Sequence, residues 1–366
     1  MKLKITKEFC ERLQDAFALS DFKPLVDREK RIYLTADPGK VLLYAISTNE
    51  GLFARVNVSK YVEVLEPGSV VLTLRLAKFL SYYEKSFPKE ILIESNDNST
   101  SVFVNSKKEI VLNTVSKDED KAVFTSWEEH INESSSIATL NVYEPISKAL
   151  LFCDSGAEAR YLLSGVRFHA DEEGFSISST DGKRLFNMTK KIECPTFTKI
   201  LPSPGLRKII RHMKGDVAIY INDNDIFFHI GDYVFKLVSL VGSYPDLNVI
   251  LNGTRGERNA FVDRTELLNS IAKVATVLSD SNFGKITLTF KDNTLTVSAV
   301  DQTFGQASKT LPCRYNKPEI SISFLVDFLT SVVRVCEKES IEMYFNENTP
   351  VHIIDAEAIV VVMPVS

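Results

Sequence analysis

The sequence predicts an α+β protein made of three tandem copies of one unit, each a β-sheet carrying two helices. Three observations predict it. An N-[D/E]-N turn recurs behind an alternating apolar run, in ILIESNDN (91–98), VAIYINDN (217–224) and IEMYFNEN (341–348). Its asparagines, Asn96, Asn222 and Asn346, stand 126 and 124 residues apart. Ahead of each turn lies a stretch of helical spacing, and further upstream come a second helical stretch and a hairpin signal, in the same order each time.

The upstream helices are TKEFCERLQDAFALS (6–20), VYEPISKALLFCDSG (142–156) and DRTELLNSIAKVATVLSD (263–280). The hairpins follow in LTADPGKVLLYAIS (34–47), FHADEEGFSISS (168–179) and TFKDNTLTVSAV (289–300), where polar turn residues separate alternating runs. The second helices are expected in LRLAKFLSYYEKSF (74–87), SPGLRKIIRHMKG (203–215) and SISFLVDFLTSVVRVC (321–336). Leu76, Phe79, Leu80 and Tyr83 keep i, i+3, i+4, i+7 spacing, as do Leu206, Ile209, Ile210 and Met213. Two helices cannot cover both faces of such a sheet, so they are expected on one face, leaving the other for a neighbour. The domains are expected at 1–125, 137–251 and 258–366. Their joints would lie in the polar, serine-rich FTSWEEHINESSS (124–136) and in LNGTRGERN (251–259).

A chain of 366 residues exceeds one ordinary core, in agreement with several domains. Hydrophobic content of 44% with 25% charged residues is that of a soluble globular protein. No run approaches the roughly 18 apolar residues that span a membrane, and MKLKITKEFCERL has no signal-peptide centre. Five scattered cysteines without C-x-x-C predict neither disulfides nor zinc, and a reducing, cytoplasmic setting.

Catalysis needs a constellation, and the sequence offers none. The five histidines form no H-E-x-x-H, and there is no G-x-S-x-G, P-loop or G-x-G-x-x-G. STDGKR (179–184) has the makings of an anion-binding turn. Yet STNEGL (47–52) and AVDQTF (299–304) occupy the same place in the other units, so a recurring turn is the simpler reading. The expectation is a non-enzyme without cofactor or metal.

The cations are more specific. Arg207, Arg211 and Lys214 stand at i, i+4, i+7, roughly opposite Leu206, Ile210 and Met213, with Lys208 beside them. Arg75 and Lys78 lie on the second helix of the first unit, and Lys148 and Lys273 on first helices. Net charge is −5, so helices gathered on one side would concentrate positive charge there while the acidic excess lies elsewhere. Such a surface attracts phosphate backbones without reading bases, and its affinity falls steeply with salt. The expected contact is with a nucleic-acid phosphate backbone, without sequence preference.

ARYLLSGVRF (159–168), TDGKRLF (180–186), KLVSLVGSYPDL (236–247) and the terminal VVVMPVS (360–366) resemble the bacterial DNA polymerase sliding clamps, the beta subunits of DNA polymerase III. The resemblance implies a DNA clamp fold of three two-helix-plus-sheet domains, closing as a head-to-tail homodimer into a ring around duplex DNA. It implies a processivity factor that does no chemistry, with the replicative polymerase and a clamp loader docking by short linear peptides. Carried over position by position, the peptide pocket would use Arg160, Leu162, Leu163, Thr180, Gly182, Arg184 and Leu185. Pro245, Val249 and Ile250 would form another wall, and Phe324, Val361, Met363 and Pro364 would complete it. Ring closure would set SKKEIVLNTV (106–115) against VATVLSD (274–280), with Ile110 meeting Val277 and Leu278. Leu162 stands where an aromatic is usual in the family, Lys183 where histidine is common, and the end at Val365 and Ser366 lacks the family's basic, apolar finish. The alternative is a repeat-built peptide-binding scaffold that no longer encircles DNA.

Overall fold

The computed structural model of the chain describes residues 1–21, 30–113, 135–154, 161–279 and 284–365. Its helices are α1 (Lys7–Leu19), α2 (Leu74–Ser81), α3 (Tyr143–Ala149), α4 (Ser203–Ile209), α5 (Asn248–Leu251), α6 (Arg264–Ala275) and α7 (Val326–Val335). The repeat is present strand by strand. A short strand (Lys2–Ile5, Ser135–Asn141, Arg258–Asp263) leads into α1, α3 or α6, and three strands follow. A fifth (Gly68–Thr73, Phe197–Pro202, Ile320–Leu325) leads into α2, α4 or α7, and three more close the copy. The first copy adds Val62–Glu66.

The copies do not pack as separate bodies. Two compact units form, one from Met1–Tyr143 with Pro204–Ser239, the other from Glu144–Ser203 with the chain from Leu240 onward. The middle copy is thus divided between them.

In the first unit an eight-stranded antiparallel sheet joins two copies. Its order is 135–141, 216–221, 225–230, 233–238, then 52–57, 40–47, 31–37, 68–73. The joining pair sets Leu237 opposite Leu52, Phe235 opposite Ala54 and Tyr233 opposite Val56. Strand Lys40–Ser47 is buried along both faces after its first residue, which is why KVLLYAIS reads as a continuous apolar run rather than an alternation. α1 and α2 pack side by side on this unit. A five-stranded sheet completes it, ordered 62–66, 2–5, 91–95, 99–104, 107–113.

In the second unit twelve strands make one sheet: 197–202, 165–171, 174–180, 184–190, then 358–362, 351–355, 340–345, 258–263, 305–314, 294–301, 285–291, 320–325. The joining pair here sets Leu185 opposite Val361 and Asn187 opposite Ile359. α6 and α7 lie together, with Leu267, Ile271, Leu329 and Val332 in the core.

The recurring N-[D/E]-N turn has a physical reason. Asn96 accepts the N–H groups of Asn98 and Ser99, and Asn222 those of Asn224 and Asp225, so one side chain closes each turn. The third turn differs: Asn346 donates its N–H to Thr349 Oγ1, and Asn348 takes a left-handed φ of 57°.

Two helix expectations are corrected. The helix expected over 74–87 ends at Ser81, and Pro88 disfavours helical backbone at the residue before it. The stretch expected as helix from residue 321 is strand through Leu325. Ile320, Ile322 and Phe324 point inward, while Ser321 and Ser323 bond Thr289 and Thr287 across the sheet. The expected linker at 124–136 lies, up to residue 134, outside the described residues.

Candidate peptide-docking and nucleic-acid surfaces

The residues expected to bind peptides gather in the second unit around the turn that follows strand Gly174–Thr180. Asp181 accepts the N–H groups of Lys183 (2.8 Å) and Arg184 (2.7 Å), and Gly182 supplies the φ of 82° the turn requires. The same carboxylate takes the Arg184 guanidinium at 2.9 and 2.7 Å. The cation of STDGKR is therefore held by the turn's own acid, which supports the structural reading of the motif over a phosphate site. Arg184 also stacks on Phe152 and Phe328 and donates to Ser331 Oγ at 2.6 Å, fastening the middle copy to α7.

Beside this turn, Leu185, Leu247 and Val361 form a buried cluster with Tyr244, Ile250, Leu251 and Ile359 packed against it. Tyr244 accepts the Thr180 N–H at 3.1 Å, and burial raises its hydroxyl pKa, keeping it neutral. The Asp246 carboxylate caps α5 by accepting the Asn248 N–H, and His352 holds the Ile250 carbonyl at 2.8 Å. Burial lowers the His352 pKa, so the ring is neutral and Nε2 carries the donated proton. The Met363 N–H donates to the Lys183 carbonyl, bringing the C-terminal segment onto the turn. Leu162 lies so close to Gly242 that a Cβ there would stand 2.8 Å from its methyl, which docks segment 161–164 on 240–247.

The expected pocket residues thus divide by depth. Val249 (61% exposed), Met363 (37%), Pro245 and Gly182 are open to solvent, and Leu162, Arg184, Ile250 and Pro364 are half-buried. Leu163, Thr180, Leu185 and Val361 are buried beneath them. Phe324 has no exposed surface, because its strand turns it into the core with Ile320 and Ile322, so it supports the site without lining it. Arg160 lies outside the described residues. Tyr244, Leu247 and His352 were missed; the first two stand inside the SYPDL motif, while nothing local marks the third.

The expected DNA-facing cations are placed on helices, with Arg75, Lys78, Arg207, Arg211, Lys214 and Lys273 exposed. α4 ends at Ile209 and one 3-10 turn carries the chain to His212, yet Leu206, Ile209 and Met213 stay on the buried face. Some of the charge is neutralised locally. Lys208 pairs with Glu50 and bonds Ser47 Oγ, Arg211 reaches Asp15 at 3.2 Å, and Lys148 pairs with Glu337. Ile110 is half-buried on strand Lys107–Asn113, as are Val277 and Leu278 just beyond α6.

Among the described residues no group of histidine, cysteine and carboxylate side chains could hold a metal. Burial pushes the Cys10 and Cys336 thiols up to about 12, leaving them unreactive. No described helix is long and apolar enough to cross a membrane.

Copies of a two-helix, eight-stranded unit joined edge to edge are the architecture of sliding clamps. A clamp from Pseudomonas aeruginosa aligns over 100% of both chains with a TM-score of 0.81 at 20% identity. A DNA polymerase III beta subunit from Eubacterium rectale aligns over 100% of both with 0.82 at 18%. Family models described as the central and C-terminal domains of the DNA polymerase III beta subunit match residues 141–246 and 254–365, more than half of the sequence. The chain belongs to the DNA polymerase III beta subunit family of sliding clamps, the processivity factors of replication. The beta sliding clamp of Rickettsia felis is 25% identical over 98% of each chain. That of Escherichia coli is 26% identical over 65% of this chain and 66% of its own length, just under two thirds. One Pseudomonas aeruginosa clamp structure is bound to griselimycin.

Proposed function

We propose that two copies of this chain close head to tail into a ring around duplex DNA and hold the replicative polymerase and other peptide-bearing partners on it. The observation that carries this reading is a pair of strand edges that no strand of the chain pairs with among the described residues. Each internal joint pairs the strand after the hairpin of one copy with the last strand of the next: 52–57 with 233–238, and 184–190 with 358–362. The same rule leaves two strands over, Gly305–Arg314 along its first half and Lys107–Asn113, both exposed. Pairing them between molecules, in the internal registers, sets Phe304 opposite Leu112 and Gln306 opposite Ile110. Ile110 then turns toward Val277 and Leu278. Open edges of this kind invite association, and pairing removes the hazard. The contact is heterologous, so two subunits close only with the right curvature.

Within the ring each domain is one copy, spanning 1–125, 137–251 and 258–366. The chain performs no reaction and acts in the cytoplasm. Duplex contacts are made through phosphates by Arg75, Lys78, Arg207, Arg211, Lys214 and Lys273, without base readout, and a clamp loader supplies the opening step. Peptides bind in extended form over Leu185, Leu247 and Val361, between Val249 and Met363, with apolar anchors.

Retention on DNA tests the reading. Loaded protein should stay on nicked circular duplex at salt that releases it from linear duplex. Equal loss from both would leave the peptide-binding scaffold as the function.

A further inference from the structure

The internal joints and the two open edges obey one geometry, so equivalent positions can be compared. In the second and third copies the sixth residue of the second helix stands at the joint. Lys208 in α4 pairs there with Glu50, and Ser331 in α7 accepts from Arg184. The same position in α2 is Phe79. On the facing side, Asp181 and Asp301 hold their turns alike, each accepting the N–H groups two and three residues on. The residue equivalent to Arg184 is therefore Phe304. At the second joint this place holds Arg184 with Ser331; at the first the facing residue is Leu52, with Glu50 reaching Lys208 from two residues before it; the remaining pair is two phenylalanines.

The surroundings agree. Phe304 is 65% exposed and Val300 70%, and Ser279 ties the half-buried Val277 and Leu278 to the same turn by donating to Asp301. On the other edge, the Tyr83 ring meets Phe79 edge-on at 5.7 Å and donates its hydroxyl to Glu109 of the edge strand. Tyr82 beside it is 84% exposed and Val111 54%. Each edge thus exposes large aromatic and aliphatic side chains. The edge strands carry Lys309 on one side and Lys107, Lys108 and Glu109 on the other.

We propose that the ring-closing seam is an aromatic lock, in which Phe304 of one subunit packs on Phe79 and Tyr82 of a second copy of this chain. The proposal rests on the ring reading and assigns the closing contact its chemistry. Its consequence is a division of labour in salt. Apolar contact is not screened, so closure persists at ionic strengths that strip phosphate contacts.

Sedimentation equilibrium at about 0.05 M and about 1 M salt, one to either side of the screening range, tests it. The wild type should dimerise as tightly at high salt as at low. Phe304→Ala should weaken dimerisation by roughly a hundredfold, because the ring carries twice a contact whose truncation costs about tenfold or more. Phe304→Lys and Phe79→Glu should each be monomeric, and the double variant should recover dimers that salt dissociates. Phe79 is half-buried in its own subunit, so circular dichroism checks that variant, and the Phe304 variants decide alone if it misfolds. If Phe304→Ala dimerises like the wild type while Ile110→Asp does not, the lock is refuted and the ring stands. Dissociation of the wild type by salt refutes the lock as well. A wild type monomeric at micromolar concentration refutes the ring and the lock with it.

Discussion

Arg184 was expected among the residues of the peptide pocket, and its geometry makes it a staple between copies. Its side chain and that of Asp181 are only 14% and 13% exposed, so their two bonds, at 2.7 and 2.9 Å, are made largely out of water. Arg184→Ala removes four things. Two ring contacts, on Phe152 and Phe328, are each worth about 1 kcal/mol. The bond to Ser331 is worth about 1 kcal/mol more. The Asp181 carboxylate loses its cation, although the N–H groups of Lys183 and Arg184 still hold it, so only part of the desolvation cost returns. The expected loss is about 3–5 kcal/mol, the range for breaking a buried pair from one side. Urea denaturation measures it, and hydrogen exchange along strands 184–190 and 358–362 localises it. A double-mutant cycle with Ser331→Ala isolates the bond between copies, expected at about 1 kcal/mol. A loss below about 1 kcal/mol, together with lost peptide binding, would refute the staple and return Arg184 to the pocket.

Three further perturbations probe the rest of the molecule. Lys236 and Asp225 form an ion pair at 2.9 Å with both side chains 6% exposed. Lys236→Met should cost about 3 kcal/mol or more in urea denaturation, and adding Asp225→Asn should recover most of it. Burial holds His352, His212 and His229 below the ordinary histidine pKa, so below about pH 6.5 the unfolded chain takes up protons first. Stability should be flat above that pH and fall on acidification toward the folded-state values; His352→Asn should shallow the decline in a melting series, and a decline on raising pH would contradict the sign. Val249→Glu and Met363→Glu, both at exposed positions, should each weaken binding of a leucine- and phenylalanine-bearing peptide by about tenfold in fluorescence anisotropy while leaving the melting temperature unchanged.

The sequence carried the period of the repeat because each copy reuses local chemistry. The asparagine-closed turns, the hairpins and the inward face Leu206, Ile209 and Met213 are each legible over a few residues. Residues 321–325 were expected as helix because the whole stretch 321–336 was matched to the second helices of the other copies, whereas the period-two alternation of Ile320, Ile322 and Phe324 with serine is the true signal. The anchoring of the candidate site was less legible still. Tyr244 and Leu247 were inside a recognised motif but carry no mark that separates a pocket floor from an ordinary core. His352 reaches Ile250 from 102 residues away, a contact no periodicity encodes.

The division of the middle copy between two compact units follows from where the pairing lies. Main-chain hydrogen bonds between strands set the geometry of a joint without specifying which residues flank it, so one backbone rule serves 52–57 with 233–238 and 184–190 with 358–362. The flanking side chains are then free to differ. At the first joint they are Lys208 with Glu50, and Arg12 bonded to Tyr233; at the second they are Arg184 with Ser331, and Lys148 with Glu337. These internal joints are covalently tethered and never need to open. The proposed closing edge would have no such tether, and beside its strands Phe304, Val300 and Tyr82 are exposed. The architecture is repeated, and the strength of each joint is set locally by what stands beside the strands.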